Sequence, residues 1–394
     1  MSTLNDVFIV SYARTPIGSF QGLLSTLTAP QLGSLAIKGA LERAGITGTD
    51  VDEVYFGNAL QAGLGQAPAR QSALGAGISN TTPCTTVNKM CSSSTKAIII
   101  AAQTIQCGAN DVVVAGGTES MSRAPYYLDR GQTPYGGVTL NDSIATDGLL
   151  DVYTQLSMGL CAESLAKKFH ISREDSDQHA IDSYQRSISS SESGLYAKEL
   201  VPVTVPGVKG RPDTIVQSDE ELTRVIFDKI PTLKPAFSDN GVITAATTGA
   251  FSDAGAALVL MSAKAVEKFG VQPLAKIVAT SDAGVDPIDF GLAPTYAVQK
   301  LLKSAGISRE QVAHYELNEP FACVGLSNIR ALGLANDIHK INPNGGSVAL
   351  GHPLGFSGAR IVGHLAMNLG DHEYGVASTC NGGGGASALL LQKV

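Results

Sequence analysis

Apolar residues fall into two rhythms along this chain. Val7-Phe8-Ile9-Val10 and Val112-Val113-Val114-Ala115-Gly116-Gly117 are short unbroken runs, the pattern of strands buried on both faces. Residues 97–105 are apolar almost all round, which predicts a helix inside the core, closed by Cys107-Gly108. Near the C-terminus, 358–369 reads as a helix ended by Gly370, 374–379 as a strand, 382–385 as a turn and 388–391 as a last strand. The alternation predicts an α/β fold of layers around a shared core.

The pattern also repeats. Ala44-Gly45-Ile46-Thr47 ends one helical segment and leads to Val54-Tyr55-Phe56-Gly57-Asn58. Ala305-Gly306-Ile307-Ser308, 261 residues later, ends another and leads to His314-Tyr315-Glu316-Leu317-Asn318. The same offset carries Cys91 onto His352. Two copies of one α/β unit are expected. Between them lies a stretch of different character, with amphipathic helices at 158–169 and 173–192 and a Pro-rich segment at 201–212. The expected division is 1–118 plus 250–269 for the first half, 119–249 for an inserted loop domain covering the site, and 270–394 for the second half.

With 394 residues, 44% hydrophobic and 16% charged, the chain can bury a large core. A net charge of -7 without a Lys/Arg cluster argues against nucleic acid or an anionic membrane as partner. No apolar run reaches the length of about 18 residues that suggests a membrane span. Six cysteines with no CxxC pair or zinc spacing predict a reducing compartment. Met1 to Asp6 runs straight into the first strand with no leader pattern, so the expected location is the cytosol.

Cys91 is the chemical focus. It stands where an extended segment gives way to the apolar helix, with Ser92-Ser93-Ser94-Thr95 in the first turn. Unpaired amides and the helix dipole favour a thiolate there, and a thiolate attacks carbonyls such as thioesters. Three more segments carry chemistry: Asn318-Glu319-Pro320-Phe321-Ala322; Asn344-Gly345-Gly346-Ser347 through Gly351-His352-Pro353 to Arg360; and Cys380-Asn381-Gly382-Gly383-Gly384-Gly385.

Together with Ala115-Gly116-Gly117-Thr118-Glu119-Ser120-Met121-Ser122, these segments resemble the thiolase family from about Val7 to Leu391. Segments 130–138, 147–153 and 219–225 look like its acetoacetyl-CoA branch. The resemblance implies Claisen condensation of two acetyl-CoA, and the reverse thiolysis, through an acetyl group on Cys91. It implies a duplicated, layered α-β-α-β-α thiolase fold with an inserted loop domain. It makes His352 the base for Cys91, Cys380 the base for the α-proton, and His352 with a water fixed by Asn318 the holders of the enolate oxygen. The amides of Cys91 and Gly382 would hold the other oxyanion. Tyr184, Arg224, Lys229 and Gly249 would lie along coenzyme A, and Met158 in the acyl pocket. No cofactor is implied beyond CoA thioesters. A potassium ion is implied at Tyr184, Ala245, Ala246, Thr248 and Val348. The 126–140 region implies a homotetramer, a dimer of dimers. A cytosolic thiolase of this branch would supply isoprenoid and sterol synthesis by the mevalonate route.

The chain departs from the family in places. Gly249 stands where a serine usually bonds the pantetheine, Pro320 replaces an alanine, Phe356 replaces a small residue, and Ser157 replaces a histidine. Phe356 is expected either to narrow the pocket or to pack beneath His352. Cys84, Cys107, Cys161 and Cys323 are expected to be buried and inert, and His170, His179, His314, His339, His364 and His372 to be structural. Three other readings stay open. A thiolase for longer or 2-methyl-branched 3-oxoacyl-CoA would differ in chain-length preference. A decarboxylative ketoacyl synthase would not need Cys380. A non-catalytic acyl carrier would not need to retain Cys91, His352 and Cys380 together.

Overall fold

Among the described residues, nine strands run in order through the main sheet, and the two-residue strand Gly18–Ser19 pairs at its side. They are β1 (Val7–Arg14), β2 (Glu53–Gly57), β3 (Cys84–Val87), β4 (Val112–Ser120), β5 (Ser252–Ser262), β6 (Ala275–Gly284), β7 (Val312–Leu317), β8 (Tyr374–Asn381) and β9 (Gly385–Lys393). The computed structural model describes residues 4–131, 134–207 and 210–394; Gln132 and Thr133 of the 130–138 segment lie outside the described residues. Across the sheet the order is β7-β8-β9-β6-β1-β5-β4-β2-β3. The larger helices are α1 (Ala29–Ala44), α2 (Pro68–Gly75), α3 (Ser93–Gln106), α4 (Met158–Lys168), α5 (Arg173–Glu192), α6 (Ala263–Phe269), α7 (Ala293–Ala305), α8 (Ala322–Ala331) and α9 (Ser357–Asn368).

The sequence repeat is a structural repeat. Helices α1 and α7 both stop at a left-handed glycine, Gly45 (φ 66°, ψ 27°) and Gly306 (φ 67°, ψ 24°), a conformation that costs glycine no Cβ clash. Each is followed by one 3₁₀ turn held by a reciprocal side-chain box, Thr47 with Asp50 and Ser308 with Gln311. Strands β2 and β7 come next, each parallel to its inner neighbour. The β1–β5 and β6–β9 pairs are both antiparallel, and each carries one register shift, at Ile9/Ser11 and Ile277/Ala279. The halves meet at β1 and β6, where Ile9 faces Ala275.

Three clusters define the layers. Helices α3 and α9 lie in the middle, burying Ile98, Ile99, Ile361 and Leu365 against strands of both halves. Helix α1 packs outside the first half and α7 outside the second. Gly117 is obligatory at the junction, because a Cβ there would lie 2.0 Å from the carbonyl oxygen of Gly355. Phe356 is buried in the central cluster and does not line the pocket that Cys91 and His352 share, so it does not narrow it.

Some sequence boundaries need correction. Helix α9 ends at Asn368 because Leu369 turns extended (φ −68°, ψ 141°), and Gly370 gives its amide to Glu373 at 2.9 Å; no left-handed glycine cap is present. Cys107 is exposed and Cys84 half-buried, while Cys161 and Cys323 are buried as expected. The inserted region is tied to β1 by a buried cation: Arg14 donates to Glu199 at 2.9 Å and to both oxygens of Asp219 at 2.7 and 2.9 Å.

Candidate active site

The Ser/Thr cluster after Cys91 serves another purpose than capping. Ser92 makes no side-chain cap bond to α3. Its hydroxyl donates to the carbonyl of Thr379 at 2.7 Å, Thr95 meets the Thr379 hydroxyl at 3.0 Å, and Ser94 accepts the amide of Ala359 at 2.9 Å. These bonds bind the helix that follows Cys91 to β8, which carries Cys380, and to α9, which follows His352. The two chain-distant halves are thereby held in register at the site.

Cys91, His352 and Gly382 line one cavity of about 340 Å³. Its wall is apolar: Ile144, Leu149, Met158, Phe237, Phe290, Phe321 and Leu354 contribute. Gly249, Pro320, Thr248 and Ser157 line it as well. Ser157 also caps α4 by accepting the amide of Leu160. Cys380 is not among the residues lining this cavity; it is fully buried in the adjoining cluster that holds Met158 and Phe321. Burial pushes its thiol pKa well up, and the adjacent Cys91 pushes it further.

The expectation of a resting thiolate at Cys91 does not hold. Withdrawal from water pushes its pKa up to about 12, although the amides of Gly382 and of Cys91 itself pull the other way. Burial likewise lowers the His352 pKa to about 4, with Arg360 adding to the drop. The resting pair is therefore a neutral thiol beside a neutral imidazole.

Hydrogen bonds fix which imidazole nitrogen is basic. The Ser357 hydroxyl donates to the Pro353 carbonyl at 2.8 Å, so its oxygen is left to accept Nδ1–H of His352 at 2.7 Å. Nε2 then carries the lone pair, and it is buried without a hydrogen-bond partner. Asn318 is arranged in a similar way. Its Oδ1 accepts from Ser347 at 2.6 Å, and its Nδ2 is buried without a partner. The amide of Asn318 bonds the carbonyl of Ser378, two residues before Cys380.

Three supporting residues carried no role in the sequence reading. Glu319 takes Ser183 at 2.6 Å, His179 at 2.8 Å and Asn342 at 3.0 Å, pinning α5 to the Asn318 loop. Burial works against its charge, but His179 and these bonds hold its pKa below the usual range. Glu119 accepts the amides of Ala59, Leu60 and Gly355, and Asn58. Burial pushes its pKa up to about 7 against those bonds. Ser357 is the third. Glu119 and Glu319 sit inside motifs as acidic residues between small or apolar ones, which is the one signal that pointed to them.

Tyr184, Arg224, Lys229, Ala245 and Ala246 line a separate cavity of about 230 Å³. Val348 is buried against Tyr184 and lines neither cavity. At Gly382 a Cβ would meet Met158 Sδ at 3.8 Å and Met90 Cγ at 4.0 Å, so crowding by protein does not require that glycine. The turn itself needs Gly383 (φ 86°) and Gly384 (φ 82°).

Residues 7–264 match the model of the thiolase N-terminal domain, and residues 271–393 that of the thiolase C-terminal domain. The chain belongs to the thiolase family. It is 57% identical to acetyl-CoA acetyltransferase A, mitochondrial, of Xenopus laevis, over 100% of this chain and 93% of that protein. Against the human mitochondrial acetyl-CoA acetyltransferase the identity is 56%, over 100% and 91%. The Acat5 thiolase from Ascaris suum, solved with coenzyme A, superposes with a TM-score of 0.94 at 45% identity, covering 99% and 100% of the two chains. Human mitochondrial 3-ketoacyl-CoA thiolase gives the same score at 38% identity, covering 100% of each. These thiolases correct the cytosolic expectation: the acetyl-CoA acetyltransferases matched at 55–57% identity are all named mitochondrial.

Proposed function

We propose that this thiolase is an acetyl-CoA C-acetyltransferase, joining two acetyl-CoA into acetoacetyl-CoA and CoA and running the thiolysis in reverse. The names of the 55–57% identical relatives support the substrate. The observation that carries the chemistry is the unpartnered Nε2 of His352 in the cavity that holds Cys91, with its tautomer set by Ser357. The same relatives support a mitochondrial setting.

The mechanism follows from neutral resting groups. As the Cys91 sulfur attacks the thioester carbonyl, Nε2 of His352 takes its proton. The oxyanion forms beside the amides of Gly382 and Cys91. Coenzyme A leaves as its thiol with the proton of Cys380, and the acetyl group stays on Cys91. The Cys380 thiolate, made strongly basic by burial, then takes the α-proton of a second acetyl-CoA. The enolate oxygen is held by imidazolium His352 and by Nδ2 of Asn318, directly or through a water. Carbon attacks the acetyl-Cys91 carbonyl, and departing Cys91 recovers its proton from His352. Every proton is returned, and no cofactor takes part.

Tyr184, Arg224 and Lys229, on their own cavity wall, are the positions we assign to the nucleotide end of coenzyme A; Met158, Phe237 and Phe321 face the acyl group. Segment 119–249 acts as the covering loop domain between the two halves. Of the potassium positions, Ala245 and Ala246 share a cavity with Tyr184, and among the described residues their carbonyls accept no hydrogen bond. Potassium held there would brace the 244–249 loop beside Tyr184. Exposed Tyr126, Leu128, Tyr135, Val138 and Leu140 support a tetramer through the 126–140 region.

The wide apolar wall also favours a second reading, a thiolase acting on longer or 2-methyl-branched 3-oxoacyl-CoA. Steady-state thiolysis across a chain-length series, with and without potassium, separates the two. The acetyltransferase reading expects acetoacetyl-CoA to have the highest kcat/KM, and a maximum at a longer chain overturns it.

A further inference from the structure

Gly249 touches two parts of the site at once. Its amide donates to the carbonyl of Pro320 at 2.9 Å, and Thr248 beside it forms an antiparallel bridge with Phe321. One residue on, the carbonyl of Ala250 accepts the amide of His352 at 2.9 Å. The strip 248–250 is thus a strut between the Asn318 loop and His352.

The strut has no slack. A Cβ on Gly249 would lie 3.0 Å from Cβ of His352 and 3.0 Å from the carbonyl oxygen of Ser347. Ser347 is the residue whose hydroxyl holds Asn318. Neither neighbour is the free end of a flexible chain. One is backbone, and the other is the root of a buried side chain. Relief must come from moving His352 or the 347 turn, because a close-packed interior offers no spare volume.

We propose that Gly249 is a positioning residue: the missing side chain lets His352 keep its place in the cavity that Cys91 also lines, and refilling the position with serine lowers the rate instead of adding affinity. The inference rests on the acyl-transfer reading above. It also assigns a cause to the departure from the serine usual in the family. In this chain the neighbouring Thr248 lines the cavity, and its hydroxyl donates to the Thr244 carbonyl at 2.9 Å.

The test compares wild type, Gly249→Ser and Gly249→Ala in acetoacetyl-CoA thiolysis, resolving kcat from KM. Both variants are expected to lose about 3- to 10-fold in kcat, less than the roughly 10²-fold of a 1 Å misplacement, because the contact asks its neighbours to give by only a few tenths of an ångström. KM for CoA should stay within about twofold. Inactivation of Cys91 by iodoacetamide should slow in parallel, and the variants should stay folded with thermal midpoints lower by no more than a few degrees. A serine variant with full kcat and lower KM overturns the proposal, as does an alanine variant at full rate. Loss of the folded state in either variant assigns the glycine to the fold and overturns it too. A wild type that never acylates Cys91 refutes the acyl-transfer reading itself, so the two failures are distinct.

Discussion

Ser357 accepts the Nδ1 proton of His352 at 2.7 Å while giving its own to the carbonyl of Pro353, so one hydroxyl decides which imidazole nitrogen is the base. Ser357→Ala removes that lock without adding bulk. The expected result is a fall in kcat of about 10- to 100-fold, as a misoriented base gives, with KM nearly unchanged. Ser357→Thr, which keeps the hydroxyl, should recover part of the loss. Steady-state kinetics of the two variants check both statements.

Asn318 has one free donor, the buried Nδ2. Asn318→Ala deletes a holder of the enolate oxygen and should lower kcat for condensation by about 10²–10³. Acetylation of Cys91, which precedes the enolate, should be affected far less. Rapid-quench measurement of the acetyl-enzyme separates the steps.

His352 is buried neutral, with a pKa lowered to about 4 from 6.5. The unfolded chain binds its proton at higher pH than the folded one, so stability from this group is present above about pH 6.5 and drains away as pH falls toward 4. At about 1.4 kcal/mol per pH unit, the gap is worth about 3 kcal/mol. His352→Asn should flatten the pH dependence of denaturant unfolding between pH 4 and 6.5. His364 has the opposite sign. Burial would lower its pKa, but Glu199 overrides that and raises it, so its contribution is lost as pH rises through the raised value.

Arg14 is wholly buried between Glu199 and Asp219. Arg14→Met leaves buried Asp219 without its cation and Glu199 with His364 alone, and breaking such a buried pair costs about 3–5 kcal/mol. The expected outcome is a clear drop in unfolding free energy. Because Glu199 and Asp219 belong to the inserted region, proteolysis within 119–249 should accelerate as well.

Much of this was legible in the sequence. The 261-residue offset survives as matched glycine caps at Gly45 and Gly306 and as paired central helices. Cys91, His352 and Gly382 meet at one cavity because their motifs end strands or begin helices on the inner face of each half. The protonation states were not legible. The helix terminus near Cys91 favours a thiolate, but burial is the larger effect and reverses the sign. Nor was the stitching by Ser92, Ser94 and Thr95, since local spacing suggests a cap and only the folded halves supply Thr379 and Ala359 as partners. Ser357 was hidden for a related reason: its role needs the turn at Pro353, which brings a residue five positions along back to the ring.

The most direct test of the central claim is a mass map of the protein after incubation with acetyl-CoA alone, quenched in acid. The account predicts one acetyl group per chain, on the peptide that holds Cys91, and none in Cys91→Ala or on Cys380. An acetyl group on another residue, or full turnover with Cys91 unmodified and replaceable, would contradict it.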